Sequence, residues 1–229
     1  MNRRDFLIAS ALVLVSGKTL GDVCVNQYQK GIIHKIYELP KYIYKIDAFA
    51  NVEGKNEHRY GFGVVVDNHY LTMAHIVNFS KRRVRTPFGI MENEVEVKEE
   101  KAKINDSEIE RIVFNDKEDI AIYKLPKELN VQEFPCKPTS KRKLGDEVFL
   151  IGNPYMTGWN IRKGNISDLD QYGDNLPIES FGIDFPGIPG DSGCPVVNSN
   201  YELLGLQATR VEYTLGYIKK IEDYLKYIK

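Results

Sequence analysis

Nine residues from Gly187 to Pro195, reading G-I-P-G-D-S-G-C-P, set one serine hydroxyl, that of Ser192, among closely spaced glycines. Glycine lets a chain turn tightly and leaves the N–H groups of the turn unobstructed. Two such groups aimed at one point, here those of Gly190 and Ser192, would stabilise the oxyanion formed when a carbonyl is attacked. Losing one donor costs roughly 3 kcal/mol of barrier. A serine hydroxyl is a weak nucleophile at neutral pH, so the chemistry also demands a proton acceptor and a carboxylate that fixes its tautomer. Histidine suits the first role. His75, at the end of Leu71-Thr72-Met73-Ala74-His75, and Asp119, within Glu118-Asp119-Ile120-Ala121, are the candidates. Taken singly, each has an ordinary alternative: a glycine turn, a core histidine, a strand-end aspartate.

The elements around these residues read as short strands. Tyr42–Ala50, Tyr60–Val66 and Tyr70–Met73 carry β-forming alternation, with Asp67-Asn68 as the hairpin turn between the last two. His75 therefore follows a strand, and Asp119 stands where a polar loop gives way to the apolar run Ile120–Tyr123. Strand signals resume at Glu147–Ile151, Asn160–Ile166, Ile178–Asp184, Cys194–Val197, Leu203–Ala208 and Tyr213–Ile218. Short strands at such spacing indicate a barrel or sandwich. Between the two series, Pro126–Lys143 has three prolines and no period, as a connector would. Gln27–Pro40 spaces Ile32, Ile33, Ile36, Tyr37 and Leu39 as an amphipathic turn or short helix. Residues 79–111 are strongly charged and read as a solvated hairpin, and Lys219–Ile228 reads as a closing helix with Ile221, Leu225 and Ile228 inward.

A length of 229 residues suffices for one large domain or two small barrels. The formal net charge of -1 gives no electrostatic footprint for nucleic acid. Cys24, Cys136 and Cys194 lie far apart without a C-x-x-C pair, so three free thiols are expected, a Cys136–Cys194 bridge being the alternative. His34, His58, His69 and His75 show no ligand spacing such as H-E-x-x-H, and neither a metal nor a cofactor is expected. Residues 1–23 carry Arg3-Arg4, an apolar run Phe6–Val15 and then small residues, the grammar of an export signal. The string R-R-D-F-L resembles a twin-arginine signal, and the apolar run is shorter than the ~20 residues of a spanning helix.

The motifs occur in one order: Gly61-Phe62-Gly63-Val64-Val65-Val66-Asp67, then Thr72-Met73-Ala74-His75, Asp119-Ile120-Ala121, Gly152-Asn153-Pro154, and Gly190-Asp191-Ser192-Gly193 with Pro195. Over roughly residues 60–218 this resembles a trypsin-like serine protease, and more narrowly the protease domain of the HtrA (DegP-like) family. The resemblance implies an all-β fold of two six-stranded antiparallel barrels with a C-terminal helix. The first barrel would span about 40–126, a linker 127–143, the second barrel 144–218 and the helix 219–228, all within a domain of residues 24–229. His75, Asp119 and Ser192 become the catalytic residues, with Gly190 and Ser192 as the oxyanion hole. Pro186, Gly187 and Ile188, with Leu206, Gln207 and Ala208, become the substrate-binding wall, which implies a preference for small or medium apolar side chains.

Four features depart from the family pattern. Asp191 stands where HtrA proteins usually have Asn, as in digestive enzymes whose aspartate pairs with an amino terminus released by cleavage. No such cleavage site is recognisable, so Asp191 needs another partner or stays solvated. Cys194 replaces a glycine, the 79–111 segment is longer and more charged than usual, and no PDZ domain is expected. The function implied is a serine endopeptidase of exported, periplasmic or otherwise extracytoplasmic quality control or processing, membrane-anchored if the signal is retained. Its partners would be polypeptides, including unfolded ones, and the chain would act as a monomer or homotrimer. The alternative is a binding or chaperone module of the same fold with a resting site.

Overall fold

The computed structural model describes residues 27–86, 89–171, 180–211 and 215–228. Residues 1–23, where an export signal is expected, and residues 172–179 lie outside the described residues. The chain divides into two compact units, residues 1–36 and 37–229. Helix α1 (Gln27–Tyr37) reaches across that boundary, where the sequence leads one to expect a short amphipathic element. Among the described residues no helix is long and apolar enough to cross a membrane.

Within residues 37–229, the described residues form two barrel-like sheets of seven strands each, in both of which one member is a two-residue edge strand. The first sheet comprises β1 (Ile43–Val52), β2 (Lys55–Val66), β3 (His69–Thr72), β6 (Val97–Ile104), β7 (Ser107–Glu108), β8 (Glu110–Asn115) and β9 (Ile120–Lys124). Its order is β7-β6-β1-β2-β3-β9-β8. The second comprises β10 (Lys137–Pro138), β11 (Glu147–Gly152), β12 (Asn160–Gln171), β13 (Ser180–Ile183), β14 (Pro195–Asn198), β15 (Glu202–Val211) and β16 (Leu215–Lys220). Its order is β10-β15-β14-β11-β12-β13-β16, and a further β15–β16 pairing closes it on itself. A separate hairpin, β4 (Lys81–Thr86) with β5 (Gly89–Glu94), stands apart from both.

Local chemistry explains the connections that matter for the site. Asp67 and Asn68 both adopt positive φ, 48° and 61°, as a two-residue hairpin turn requires, and this delivers β3 antiparallel to β2. The second half of β2, Gly61–Val66, is buried on both faces rather than alternately. At Phe62 the strand's N–H donates to Ser192 O across 2.9 Å. The two halves of the site are thus tied through this strand.

Two expectations need correction. The 79–111 segment is more than a solvated hairpin, because β6 joins the sheet beside β1 with Ala102 and Ile104 buried at period two beneath exposed charges. The closing helix is short, α3 (Ile221–Leu225), because Lys219 and Lys220 still belong to β16. Its buried residues are Ile221, Asp223 and Tyr224, not the Ile221–Leu225–Ile228 stripe. Asp223 is carried inward as the partner of the equally buried Lys219, at 2.9 Å. Cys136 and Cys194 are both free and buried, so no bridge joins them.

Candidate active site

His75 sits in a one-turn helix, α2 (Ala74–Val77), directly after β3. The N–H groups of a helix's first turn have no partner within the helix. That of His75 donates to Asp119 Oδ1 at 2.8 Å, and His75 Nδ1 meets Asp119 Oδ2 at 2.8 Å. One carboxylate therefore holds both the main chain and the ring of His75. On the ring's far side Nε2 lies 2.9 Å from Ser192 Oγ. The side chain of His75 is 42% exposed and that of Asp119 only 13%, so the ring faces solvent while its carboxylate is shielded.

Each member is braced from behind. Thr72 Oγ1 donates to Phe62 O at 2.6 Å, tying the residue before Met73 to β2. Tyr224 of α3 donates its buried hydroxyl to Met73 Sδ at 3.0 Å. Burial, and next the nearby Asp119 charge, hold that phenol well above its ordinary pKa, so it remains a neutral donor. Asp119 itself has φ of 55°, a left-handed conformation that Asp tolerates better than most residues.

The serine turn is closed by a compact set of main-chain bonds. Asp191 N–H donates to Ile188 O at 2.9 Å, Cys194 N–H to Asp191 O at 2.8 Å, and Gly193 N–H to Gln207 O at 2.8 Å. Gly193 has φ of 80°, and a Cβ there would lie 1.8 Å from Phe62 O, so only glycine allows β2 to approach. Gly190 has φ of 101° beside Asn153 O and Tyr155 N. Among the described residues, the N–H groups of Gly190 and Ser192 donate to no main-chain carbonyl, although the intervening Asp191 N–H does.

The remaining site candidates cluster beside this turn. Pro186 O accepts from Arg162 Nη1 at 2.9 Å. Gly187 is buried, and a Cβ on it would meet the Gln207 carboxamide at 2.5 Å. Leu206, Gln207 and Ala208 are all buried, and of the three it is the Gln207 carboxamide that lies nearest Gly187, in keeping with a wall expected to be apolar or uncharged. Asp191 is not solvated: it is completely buried, and its Oδ2 pairs with Arg162 Nη2 and accepts the Ile188 N–H at 2.6 Å. Arg162 and Tyr224 carry no sequence signal that would single them out. Their places follow from which strands pair.

The profile of the trypsin-like peptidase domain matches residues 61–206, well over half of the chain, and the chain belongs to that family. Within it, the relatives are of HtrA type. A probable periplasmic DegP-like serine endoprotease of Buchnera aphidicola subsp. Baizongia pistaciae is 40% identical over 90 residues, 38% of this chain and 19% of that protein. The serine endoprotease DegS of Haemophilus influenzae is 30% identical over 107 residues, 45% of this chain and 31% of its own length. The chain thus spans less than a third of the length of these curated relatives. Among solved structures, the HtrA-type protease AlgW with tripeptide superposes with a TM-score of 0.61 at 15% identity, over 85% of this chain and 61% of that one. The Rv3671c protease from M. tuberculosis in its active form does so with 0.60 at 19% identity, over 84% and 82%. At such identities these structures show a shared fold.

Proposed function

We propose that the chain is a serine endopeptidase whose nucleophile is Ser192, whose general base is His75 and whose orienting carboxylate is Asp119. The observation that carries this reading is the continuous line from Asp119 Oδ2 to His75 Nδ1 at 2.8 Å and from His75 Nε2 to Ser192 Oγ at 2.9 Å. With Nδ1 protonated toward Asp119, Nε2 is free to accept the Ser192 proton as Oγ attacks a peptide carbonyl. The N–H groups of Gly190 and Ser192 receive the oxyanion. His75 then returns its proton to the departing amine, and water, deprotonated by the same nitrogen, releases the acyl group.

Pro186, Gly187 and Ile188, facing Leu206, Gln207 and Ala208, form the specificity site in this reading. The Gln207 carboxamide against Gly187 makes it shallow, which favours small or medium side chains. Efficient cleavage after Arg or Lys would contradict this. Polypeptides, including unfolded ones, are the substrates, and the work is quality control or processing outside the cytoplasm. The export-signal pattern in residues 1–23 and the periplasmic designation of a relative support that location. The test is degradation of unfolded casein by residues 24–229 beside a Ser192→Ala control. Loss of degradation in the control supports the endopeptidase. Absence of degradation by both refutes it in favour of a binding module.

A further inference from the structure

Asp191 occupies the position between the two proposed oxyanion donors, Gly190 and Ser192, yet its side chain points away from solvent and is completely buried. A carboxylate stripped of water must be paired or lose its charge. Its Oδ2 accepts the Ile188 N–H at 2.6 Å, closing the turn from within. The charge is met by Arg162 Nη2 from the neighbouring strand β12. The same guanidinium donates from Nη1 to Pro186 O at 2.9 Å and lies 5.7 Å from the Phe185 ring. One planar group therefore grips the segment 185–191 at its start and at its end, as a fork of fixed donors can and a lysine ammonium cannot.

The surrounding chain is shaped for this group. Gly152, on β11, faces the pair, and a Cβ there would stand 2.2 Å from Asp191 Oδ1 and 2.8 Å from Arg162 Nη2. The side chain of Arg162 is itself only 18% exposed. Its hydrogen bonds among the described residues run to Asp191 and Pro186, neither of them a reacting group, so it acts through the 185–191 segment.

We propose that Arg162 is a positioning residue, whose pairing with Asp191 holds the Ile188–Ser192 turn in the shape that presents both oxyanion N–H groups. The cation comes from within a strand, so assembling the turn needs no newly exposed amino terminus. This inference rests on the endopeptidase reading for its catalytic consequence, and its structural content can be tested apart from it.

The experiment compares wild type, Arg162→Met, Arg162→Lys and the double variant Arg162→Met/Asp191→Asn, with two readouts. Amide-resolved hydrogen exchange on the native proteins reads the turn itself. Arg162→Met is expected to strip protection from the Ile188 and Asp191 amides while the β11 and β14 amides keep theirs. Steady-state hydrolysis reads the consequence. In Arg162→Met, kcat falls by about 100-fold or more, the effect of losing an oxyanion donor, with KM little changed. Arg162→Lys recovers part of that loss, because the charge on Asp191 is still met. The double variant falls no further than Arg162→Met, because the pair acts as a unit. Unchanged protection of Ile188 and Asp191, or an unchanged kcat in Arg162→Met, overturns the proposal. A wild type without Ser192-dependent hydrolysis refutes the endopeptidase reading instead, and the exchange measurement then decides the role of Arg162 alone.

Discussion

Replacing Asp119 by Asn tests the relay with almost no change of shape. Both carboxylate oxygens face donors, Oδ1 the His75 main-chain N–H and Oδ2 the ring Nδ1, each at 2.8 Å. An amide has one oxygen and one NH2, so it cannot serve both. If its oxygen keeps the main-chain N–H, the NH2 faces Nδ1, the ring proton moves to Nε2, and Nε2 can no longer accept from Ser192. Turning the amide over restores the tautomer but sets NH2 against the main-chain N–H, leaving a donor unmet at about 1–3 kcal/mol. In either orientation the negative charge that stabilises the imidazolium is gone, worth about 4 kcal/mol for charges 4 Å apart at an effective dielectric of 20. Together these terms amount to about 5–7 kcal/mol, or roughly 10⁴- to 10⁵-fold in kcat. The assay is single-turnover and steady-state hydrolysis of a peptide substrate, with circular dichroism confirming the fold. A folded Asp119→Asn protein within about tenfold of wild-type kcat would refute this reasoning.

Other expectations concern the frame around the relay. Asp223→Asn removes a charge from the buried Lys219 pair and should destabilise the protein by about 3 kcal/mol in urea titration. Burial pushes the Asp223 pKa up, but hydrogen bonds from Lys226 and Lys219 outweigh it and hold the group below its ordinary value. Its contribution is therefore present above the ordinary carboxylate range and lost as pH falls through the lowered value, so the gap between wild type and Asp223→Asn should narrow below about pH 4. A gap independent of pH would contradict the pairing. Burial raises the Cys136 thiol to about 12 and pushes Cys194 well above its ordinary value, so iodoacetamide at pH 8 should modify neither in the native protein and both after denaturation, as read by peptide mass spectrometry. Gly193→Ala places a Cβ 1.8 Å from Phe62 O at φ of 80°; the left-handed backbone alone costs about 1–2 kcal/mol, and hydrolysis should collapse. Wild-type activity in that variant would show that β2 does not brace the serine turn.

What the sequence makes legible is what local chemistry controls. The Asp67-Asn68 hairpin is readable because both residues must adopt positive φ, and it sets β3, which in turn sets His75. Ser192 is singled out by the closely spaced glycines around it, and Asp119 by its place where a polar loop gives way to an apolar strand. The readings that fail or fall short depend on burial and packing that the local pattern does not carry. Arg162 lies among Asn160, Ile161 and Lys163 with nothing to distinguish it, and only its approach to a turn 29 residues later gives it a role. Asp223 looks like a solvent-facing helix residue until Lys219 is seen buried beside it. In β6 the inward Ala102 and Ile104 are masked by lysines and glutamates that cover the outer face. Gln207 continues an apolar strand in sequence, yet its carboxamide fills the space beside Gly187.

In the proposed mechanism His75 and the serine turn together activate one hydroxyl. The most direct test is treatment of the folded protein with a fluorophosphonate, followed by peptide mapping, since the reaction needs both an activated serine and an assembled oxyanion site. A single adduct is expected, on Ser192, and it disappears in His75→Ala. No adduct on Ser192 in the wild type, or undiminished labelling in His75→Ala, would contradict that mechanism.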